Sequence, residues 1–316
     1  MTYSLYNKSI TCMADLDRND IEHVLWAAGV LKDTPRPELL KNQVVASCFF
    51  EASTRTRLSF EAAVHRLGGA IVGFADGNQT SMANKGESLA DSIKVIGSYA
   101  HALILRHPAA GAARLASEHT DIPVLNAGDG ANEHPTQALT DLFTIHEHRG
   151  SLDELRLAVC GDLRYSRTVH SLARSLCFFR KVRLTCLAPP ALSLPADLRA
   201  ELENAGMSVH EANSLEDVLT DAEVLYMTRI QRERFTHKDA APPTAPFQLT
   251  PAALHTAGPR MQVLHPLPRQ EEIGPEIDTD PRAWYFQQAA NGLWVRQALL
   301  ALAITRDPQL HGGPGH

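Results

Sequence analysis

The sequence predicts an α/β fold: two doubly wound parallel-sheet domains joined by interdomain helices. Apolar runs of strand length alternate with segments of helical period, the pattern expected of a parallel sheet with crossover helices. The alternation occurs in two separate series along the chain. At 316 residues and 44% hydrophobic, the chain exceeds what one core usually organises, so two domains are expected.

In the first series, Val44 to Phe50, Ala70 to Phe74, Ala102 to Leu105 and Val124 to Leu125 have the composition of buried strands. Among them Leu89, Ile93, Ile96 and Ala100 recur on one helical face, and Gly68-Gly69 end the preceding helix where a left-handed residue is wanted. A long helix from Pro135 to about His148, with proline in its first turn, is expected to connect the domains. The second series starts near Leu155, with strands Leu157 to Cys160, Val182 to Leu187, Val224 to Met227 and Met261 to Leu264 and a helix over Thr168 to Phe179. Thr236 to Pro259 is dense in Pro, Thr and Ala, has little period and reads as a long loop or a short irregular helix. A last helix, Ala289 to Arg306, carries the stripe Leu293, Ala298, Leu299, Leu302 and Ala303, and the tail from Leu310 reads as disordered.

The net charge is −6 and the pI about 6.2, so no global positive field exists to hold nucleic acid or an anionic membrane. An anionic substrate must be caught by local cations. Met1 to Leu16 lacks a basic stretch followed by an apolar one, and no apolar run approaches the roughly 18 residues of a membrane span, which predicts a soluble, cytoplasmic protein. Cys12, Cys48, Cys160, Cys177 and Cys186 are odd in number and show no C-x-x-C spacing, so they read as reduced core residues.

The segment Phe49-Phe50-Glu51-Ala52-Ser53-Thr54-Arg55-Thr56-Arg57-Leu58-Ser59-Phe60 leaves a strand and enters a helix with hydroxyls and arginines crowded together. Unpaired N–H groups at a helix start, the helix dipole, hydroxyls and a guanidinium fork together match phosphate oxygens. The plainer alternative is a helix cap followed by solvated basic residues. No Walker A pattern occurs, and Gly161-Asp162 is only a fragment of a dinucleotide fingerprint.

Ser53-Thr54-Arg55-Thr56-Arg57 followed by His134-Pro135-Thr136-Gln137 resembles the signature pair of the aspartate/ornithine carbamoyltransferase family, and the resemblance runs from roughly Leu5 to Arg306. Within the family, His265-Pro266-Leu267-Pro268-Arg269 resembles the aspartate branch; ornithine enzymes resemble His-Cys-Leu-Pro, and no cysteine occurs beyond Cys186. Met227-Thr228-Arg229-Ile230-Gln231-Arg232-Glu233-Arg234 and Asp162-Leu163-Arg164-Tyr165-Ser166-Arg167-Thr168-Val169-His170 match the same branch. Both bring arginine to a strand's C-terminal end, where open sheets bind ligands. A dicarboxylate needs cationic forks, which Arg167 and Arg229 can supply, whereas a lone surface arginine is usually an ion pair.

The resemblance implies transfer of the carbamoyl group of carbamoyl phosphate to L-aspartate, in pyrimidine biosynthesis, without cofactor or metal. It implies a carbamoyl phosphate domain over 1–134, completed by 289–307, and an aspartate domain over 135–288. Ser53, Thr54, Arg55, Thr56, Ser81 and Arg106 are expected to hold carbamoyl phosphate, with His134, Gln137, Leu267 and Pro268. Arg55, Thr56, Lys85, Arg106 and His134 are the expected catalytic groups, of which Thr56, Arg106 and His134 face the carbonyl oxygen. Lys85, Arg167, Arg229, Gln231 and Leu267 are expected to bind aspartate. The loop Thr80 to Asp91 of the family enters a neighbouring subunit's site, so Ser81 and Lys85 act in trans in a homotrimer. Two departures are Asn84, where relatives can carry lysine, and Glu133, where a neutral residue is expected. The general base stays open between the departing phosphate and Lys85. A separate regulatory chain, an ornithine-type acceptor, a dinucleotide-dependent dehydrogenase and a catalytically silent homologue also stay open. The phosphate and acceptor motifs fall in different domains, so closure on aspartate binding is expected.

Overall fold

The computed structural model describes residues 4–232, 235 and 247–313. The chain divides into two compact units, Met1–Phe143 with Ala290–His316, and Thr144–Ala289. The first contains α1 (Arg18–Asp33), β1 (Val44–Phe49), α2 (Thr54–Arg66), β2 (Ala70–Phe74), α3 (Ser81–Lys85), α4 (Leu89–Gly97), β3 (Ala102–His107), α5 (Ala112–Ser117) and β4 (Val124–Asp129). Helix α6 (Pro135–Arg149) leads into the second unit. That unit holds β5 (Arg156–Cys160), α7 (Arg167–Leu176), β6 (Arg183–Leu187), α8 (Ala196–Asn204), β7 (Ser208–Glu211), α9 (Leu215–Asp221), β8 (Val224–Met227), α10 (Pro251–Leu254) and β9 (Gln262–Leu264). Helix α11 (Tyr285–Ile304) returns the chain to the first unit, which ends with α12 (Pro308–His311).

Both sheets are wholly parallel, in the orders β2-β1-β3-β4 and β7-β6-β5-β8-β9. In each, the winding reverses once, between β1 and β3 in the first and between β5 and β8 in the second. The first core packs Ala46, Cys48, Leu103 and Leu105 of the strands against Ile93 of α4. The second gathers Ala158, Cys160, Leu225, Met227 and Val263. All five cysteines are free, and burial pushes the Cys48 and Cys186 thiols up to about 12. No helix among the described residues is long and apolar enough to cross a membrane.

The differences from the sequence reading have local causes. Strand β3 runs on through Arg106 and His107, and β4 through Asn126-Ala127-Gly128-Asp129, because polar residues there are bonded inside the fold rather than solvated. Strand β7 has no apolar run to announce it; it is an edge strand with mostly exposed side chains. The first unit extends to Phe143, past the boundary at 134, because the opening turns of α6 bury Ala138, Leu139 and Leu142 in it. The expectation of a disordered tail from Leu310 is corrected: Leu310 and His311 are buried, and His23 Nε2 lies 2.6 Å from the Leu310 carbonyl oxygen. Residues 314–316 lie outside the described residues, as do 236–246 of the expected loop Thr236 to Pro259, Met1–Tyr3 of the expected N-terminal segment, and Glu233 and Arg234 of the arginine motif.

Candidate functional site

In open α/β sheets, ligands bind beyond the strand ends where the winding reverses, because adjacent loops diverge there and leave a crevice. In the first unit these ends are Phe49 of β1 and Arg106 of β3, which are paired in register, and the Phe50 N–H donates to the Arg106 carbonyl at 2.8 Å. The chain turns at Ser53 and enters α2 at Thr54. Ser53 is the N-cap residue, yet its side chain makes no capping bond, and the first turn of α2 contains no acid. Thr54 and Arg55 are exposed and Thr56 is buried. This helix start therefore offers N–H groups, three hydroxyls and Arg55 with no competing carboxylate in its own turn.

The two arginines of the motif diverge: Arg55 is exposed in the first turn of α2, and Arg57 is half-buried. Arg57 Nε donates to Glu61 at 2.7 Å, one turn along α2, so Arg57 braces the helix. Arg106 donates to the Ala127 carbonyl at 3.1 Å and pairs with Glu51 at 2.7 Å, which fixes its guanidinium at the strand end. His134 is buried and stands before Pro135, where α6 begins; its carbonyl accepts from the Gln137 and Ala138 N–H groups. The loop that carries His134 is held by Asp129, which sequence reasoning missed. Asp129 accepts from the Glu133 and Gly111 N–H groups and from the side chains of Asn126 and Asn132, while Asn126 also donates to the Thr11 carbonyl at 2.7 Å. Most of these partners are neighbours in sequence, but the ties to Gly111 and Thr11 are remote and no local pattern reveals them.

Gln137 lies in the first turn of α6, with its Nε2 donating to Asp141 at 2.8 Å. Ser81 and Lys85 are both exposed on α3, a short helix capped by Thr80 and ended by left-handed Gly86, and packed chiefly on the turn at Gly77–Gln79. Asn84, the unexpected residue, donates to the Asn78 and Thr80 carbonyls, each at 3.0 Å, and clips this segment together. Glu133 is buried, and its carbonyl accepts from the Asp129 N–H.

In the second unit the corresponding ends are Cys160 and Met227, again in register, with the Thr228 N–H donating to the Cys160 carbonyl at 2.8 Å. Asp162, fully buried, receives the Tyr165 N–H on one oxygen and the Gln231 N–H on the other, both at 3.0 Å. It thereby joins the loop leading to Arg167 with the one carrying Arg229 and Gln231. Arg167 is the first residue of α7 and is buried; Arg229 donates to the Ile230 carbonyl. A pocket of about 420 Å³ opens here, lined by Gly161, Thr228, Ile230, Arg232 and Glu272. A larger one, about 960 Å³, lies at the opposite strand ends, but its cations Arg149, Arg180 and Lys181 face Glu223, Asp153 and Glu154. Volume therefore does not mark the chemistry.

Leu267 and Pro268 follow β9 in a turn shaped by His265. Leu267 has φ +54°, and its N–H donates to His265 Nδ1 at 2.8 Å. Nδ1 must then be unprotonated, so Nε2 carries the hydrogen and donates to Glu272 at 2.8 Å. Burial holds the His265 imidazole below its usual value, and Arg229 and Arg269 add to this, against the bond to Glu272. The unfolded chain takes up this proton near the ordinary value of 6.5 and the folded chain only at lower pH, so this stability is full above that value and is lost as pH falls. Burial raises the Glu272 carboxyl, but the bonds from His265 and backbone N–H groups outweigh it, so its contribution is lost at more acid pH. The urea midpoint should fall between about pH 7.5 and 5.5, and less so in His265→Asn, whose side-chain oxygen can replace Nδ1 as acceptor. An equal fall in the variant would show that other groups set the slope.

Two family models cover almost all of this architecture. Residues 8–147 match the aspartate/ornithine carbamoyltransferase carbamoyl-P binding domain, and residues 153–303 match the Asp/Orn binding domain of the same family. Among solved structures, aspartate transcarbamoylase from Trypanosoma cruzi in complex with carbamoyl phosphate and aspartate is 39% identical, with a TM-score of 0.90 over 96% of this chain and 98% of that one. The same enzyme in complex with N-(phosphonacetyl)-L-aspartic acid is 38% identical, with a TM-score of 0.88 over 96% and 97%. Its ligand-free form is 36% identical, with a TM-score of 0.85 over 96% and 98%. With both domain models matched in order and identity well above 30% across nearly the whole length, the chain belongs to the aspartate/ornithine carbamoyltransferase family.

Proposed function

We propose that the chain transfers the carbamoyl group of carbamoyl phosphate to the amine of L-aspartate, giving N-carbamoyl-L-aspartate and phosphate. The observation that carries this reading is the in-register pairing of Arg106 with the strand end that leads into the Ser53–Thr56 helix start. A guanidinium and a row of N–H and hydroxyl donors thus flank one strand-end crevice, as a phosphate requires. The aspartate branch is supported by Arg167 and Arg229 on the two loops that Asp162 joins, and by the substrates bound to the Trypanosoma cruzi relative.

In this reading Ser53, Thr54, Arg55, Thr56 and Arg106, with Ser81 and Lys85, hold the phosphate. Thr56, Arg106 and His134 donate to the carbonyl oxygen, on which negative charge grows as the amine attacks. The carbon–nitrogen bond forms first; the tetrahedral intermediate then breaks its bond to the bridging oxygen, which leaves with the electron pair as phosphate. The amine proton passes to that phosphate or to Lys85. Gln137 and the Leu267–Pro268 turn meet the carbamoyl nitrogen, and Arg167, Arg229, Gln231 and Lys85 orient aspartate. The test offers aspartate and ornithine separately with carbamoyl phosphate and identifies the product. Carbamoyl-aspartate is expected; citrulline would keep the family and overturn the acceptor, and neither product would favour a silent homologue.

The same reading includes a cytoplasmic homotrimer serving pyrimidine biosynthesis, with Ser81 and Lys85 acting in a neighbour's site and a regulatory chain left open. Its support is the exposure of Ser81 and Lys85 on α3, and of the large apolar side chains Leu58, Val72, Val95 and Tyr99 in the first unit. Arg55→Ala and Lys85→Ala should each be nearly inactive alone, yet regain activity when coexpressed, because some mixed trimers hold one intact site. A coexpressed pair as inactive as its parents would refute action in trans.

A further inference from the structure

Gln137 and Asp141 occupy successive turns of α6, and Gln137 Nε2 donates to Asp141 Oδ1 at 2.8 Å. Asp141 is fully buried, as is Arg296 on α11, whose guanidinium interacts electrostatically with the Asp141 carboxylate. Gly292, one turn before Arg296, leaves the room: a β-carbon there would run into the Arg296 guanidinium. The Arg296 side chain also stacks on Phe60, 5.1 Å from the ring centre. Burial lowers Arg296 to about 10, with Asp141 opposing the shift, so it remains a cation at neutral pH and a fixed partner for the carboxylate.

We infer that Asp141 is a positioning residue that, with Arg296 behind it, fixes which end of the Gln137 carboxamide faces the carbamoyl group and so selects the carbamoyl NH2. The inference deepens the proposed function and rests on its assignment of Gln137. A carboxylate only accepts hydrogen bonds, so it takes the NH2 end of the amide and leaves Oε1 as the other end. Reversing the amide would set Oε1 against Asp141 Oδ1, two acceptors in contact. Oε1 is an acceptor, and the carbamoyl nitrogen offers only donors; a reversed amide would meet it donor to donor. A methyl group in place of the nitrogen offers nothing to Oε1. A buried charge interaction kept only for stability would be indifferent to that exchange.

The test compares carbamoyl phosphate with acetyl phosphate, which carries the methyl group, by competition binding to the whole chain in its native oligomeric state without aspartate. The unaltered chain should prefer carbamoyl phosphate. Asp141→Asn, which can either donate or accept, should cut that preference about tenfold, chiefly by weakening carbamoyl phosphate, with acetyl phosphate changed less than about twofold. Because this change leaves Arg296 without full countercharge, the double variant Asp141→Asn/Arg296→Met is measured beside it, with circular dichroism as the check on folding. In a Gln137→Met background, Asp141→Asn should no longer alter the preference. A preference retained in both Asp141 variants, or equal weakening of both phosphates, would overturn the inference alone. An unaltered chain with no preference would overturn the assignment of Gln137, and the inference with it.

Discussion

Arg106→Ala is expected to lower carbamoyl transfer to aspartate by about a hundredfold or more, the usual cost of removing a well-aimed donor from a developing oxyanion, about 3 kcal/mol. Arg106, next to last in β3, is in register with Phe49 and is fixed by Glu51 and the Ala127 carbonyl, so the guanidinium is held before any ligand arrives. Preorganisation of this kind lowers the barrier because no donor must be reoriented as charge grows. The loss should be kinetic rather than structural: the Glu51 side chain is about one-third exposed, and although the oxygen that faces Arg106 is buried, the space vacated by the guanidinium gives water a way to it. Arg106→Lys should recover only part of the activity, because one ammonium cannot reproduce the fork that meets Glu51 and Ala127 together. Turnover within threefold of the unaltered chain in Arg106→Ala, measured at saturating carbamoyl phosphate, would remove Arg106 from the mechanism.

Gly161→Ala should be the most damaging small change in the second unit. Gly161 has φ +119°, and a β-carbon there would strike the carbonyl oxygen of Thr228 on the neighbouring strand end. Relief requires moving either Asp162 or the segment from Thr228 to Gln231, and the Cys160–Thr228 and Asp162–Gln231 bonds resist both. A loss of about 3 kcal/mol is expected, against about 1 kcal/mol for Gly206→Ala, where φ is +89° but nothing lies near the added carbon. Urea unfolding of the two variants side by side reads the difference. Folded Gly161→Ala should also show a KM for aspartate raised more than tenfold, with carbamoyl phosphate binding unchanged. Equal midpoints for the two glycine variants would mean that the strand ends yield without cost.

The legible parts of this protein are those whose signal is local. Strands β1, β3, β5 and β8 stand out as apolar runs, and the turn from β1 into α2 joins a buried strand to a cluster of hydroxyls and arginines in a few residues. Motifs carried the rest: His134 and Gln137 came from the resemblance of His134-Pro135-Thr136-Gln137 to the family signature, and Arg167 and Arg229 from strand-end sequences resembling the aspartate branch. Within the first motif the resemblance singled out Arg55 and left Arg57 aside; the structure adds a physical reason, since Arg57 pairs with Glu61 one turn later and braces its own helix.

By itself, then, the chain's sequence determined the α/β class and two successive sheets, through strand and helix periods; its motifs, by resemblance, pointed to the family and named the groups expected to meet phosphate and a dicarboxylate. Only the tertiary structure decided that Arg106 stands beside Phe49, that Asp129 and Asn126 hold the loop before His134, that Asp162 joins two arginine-bearing loops, and that His265 is a neutral hinge-pin for Leu267. The first and third are pairings across strands and loops, chosen because burying the apolar faces fixes the strand order and leaves buried polar groups to find partners wherever that order puts them; the other two are short-range bonds that form only once the folded backbone turns those neighbours toward each other.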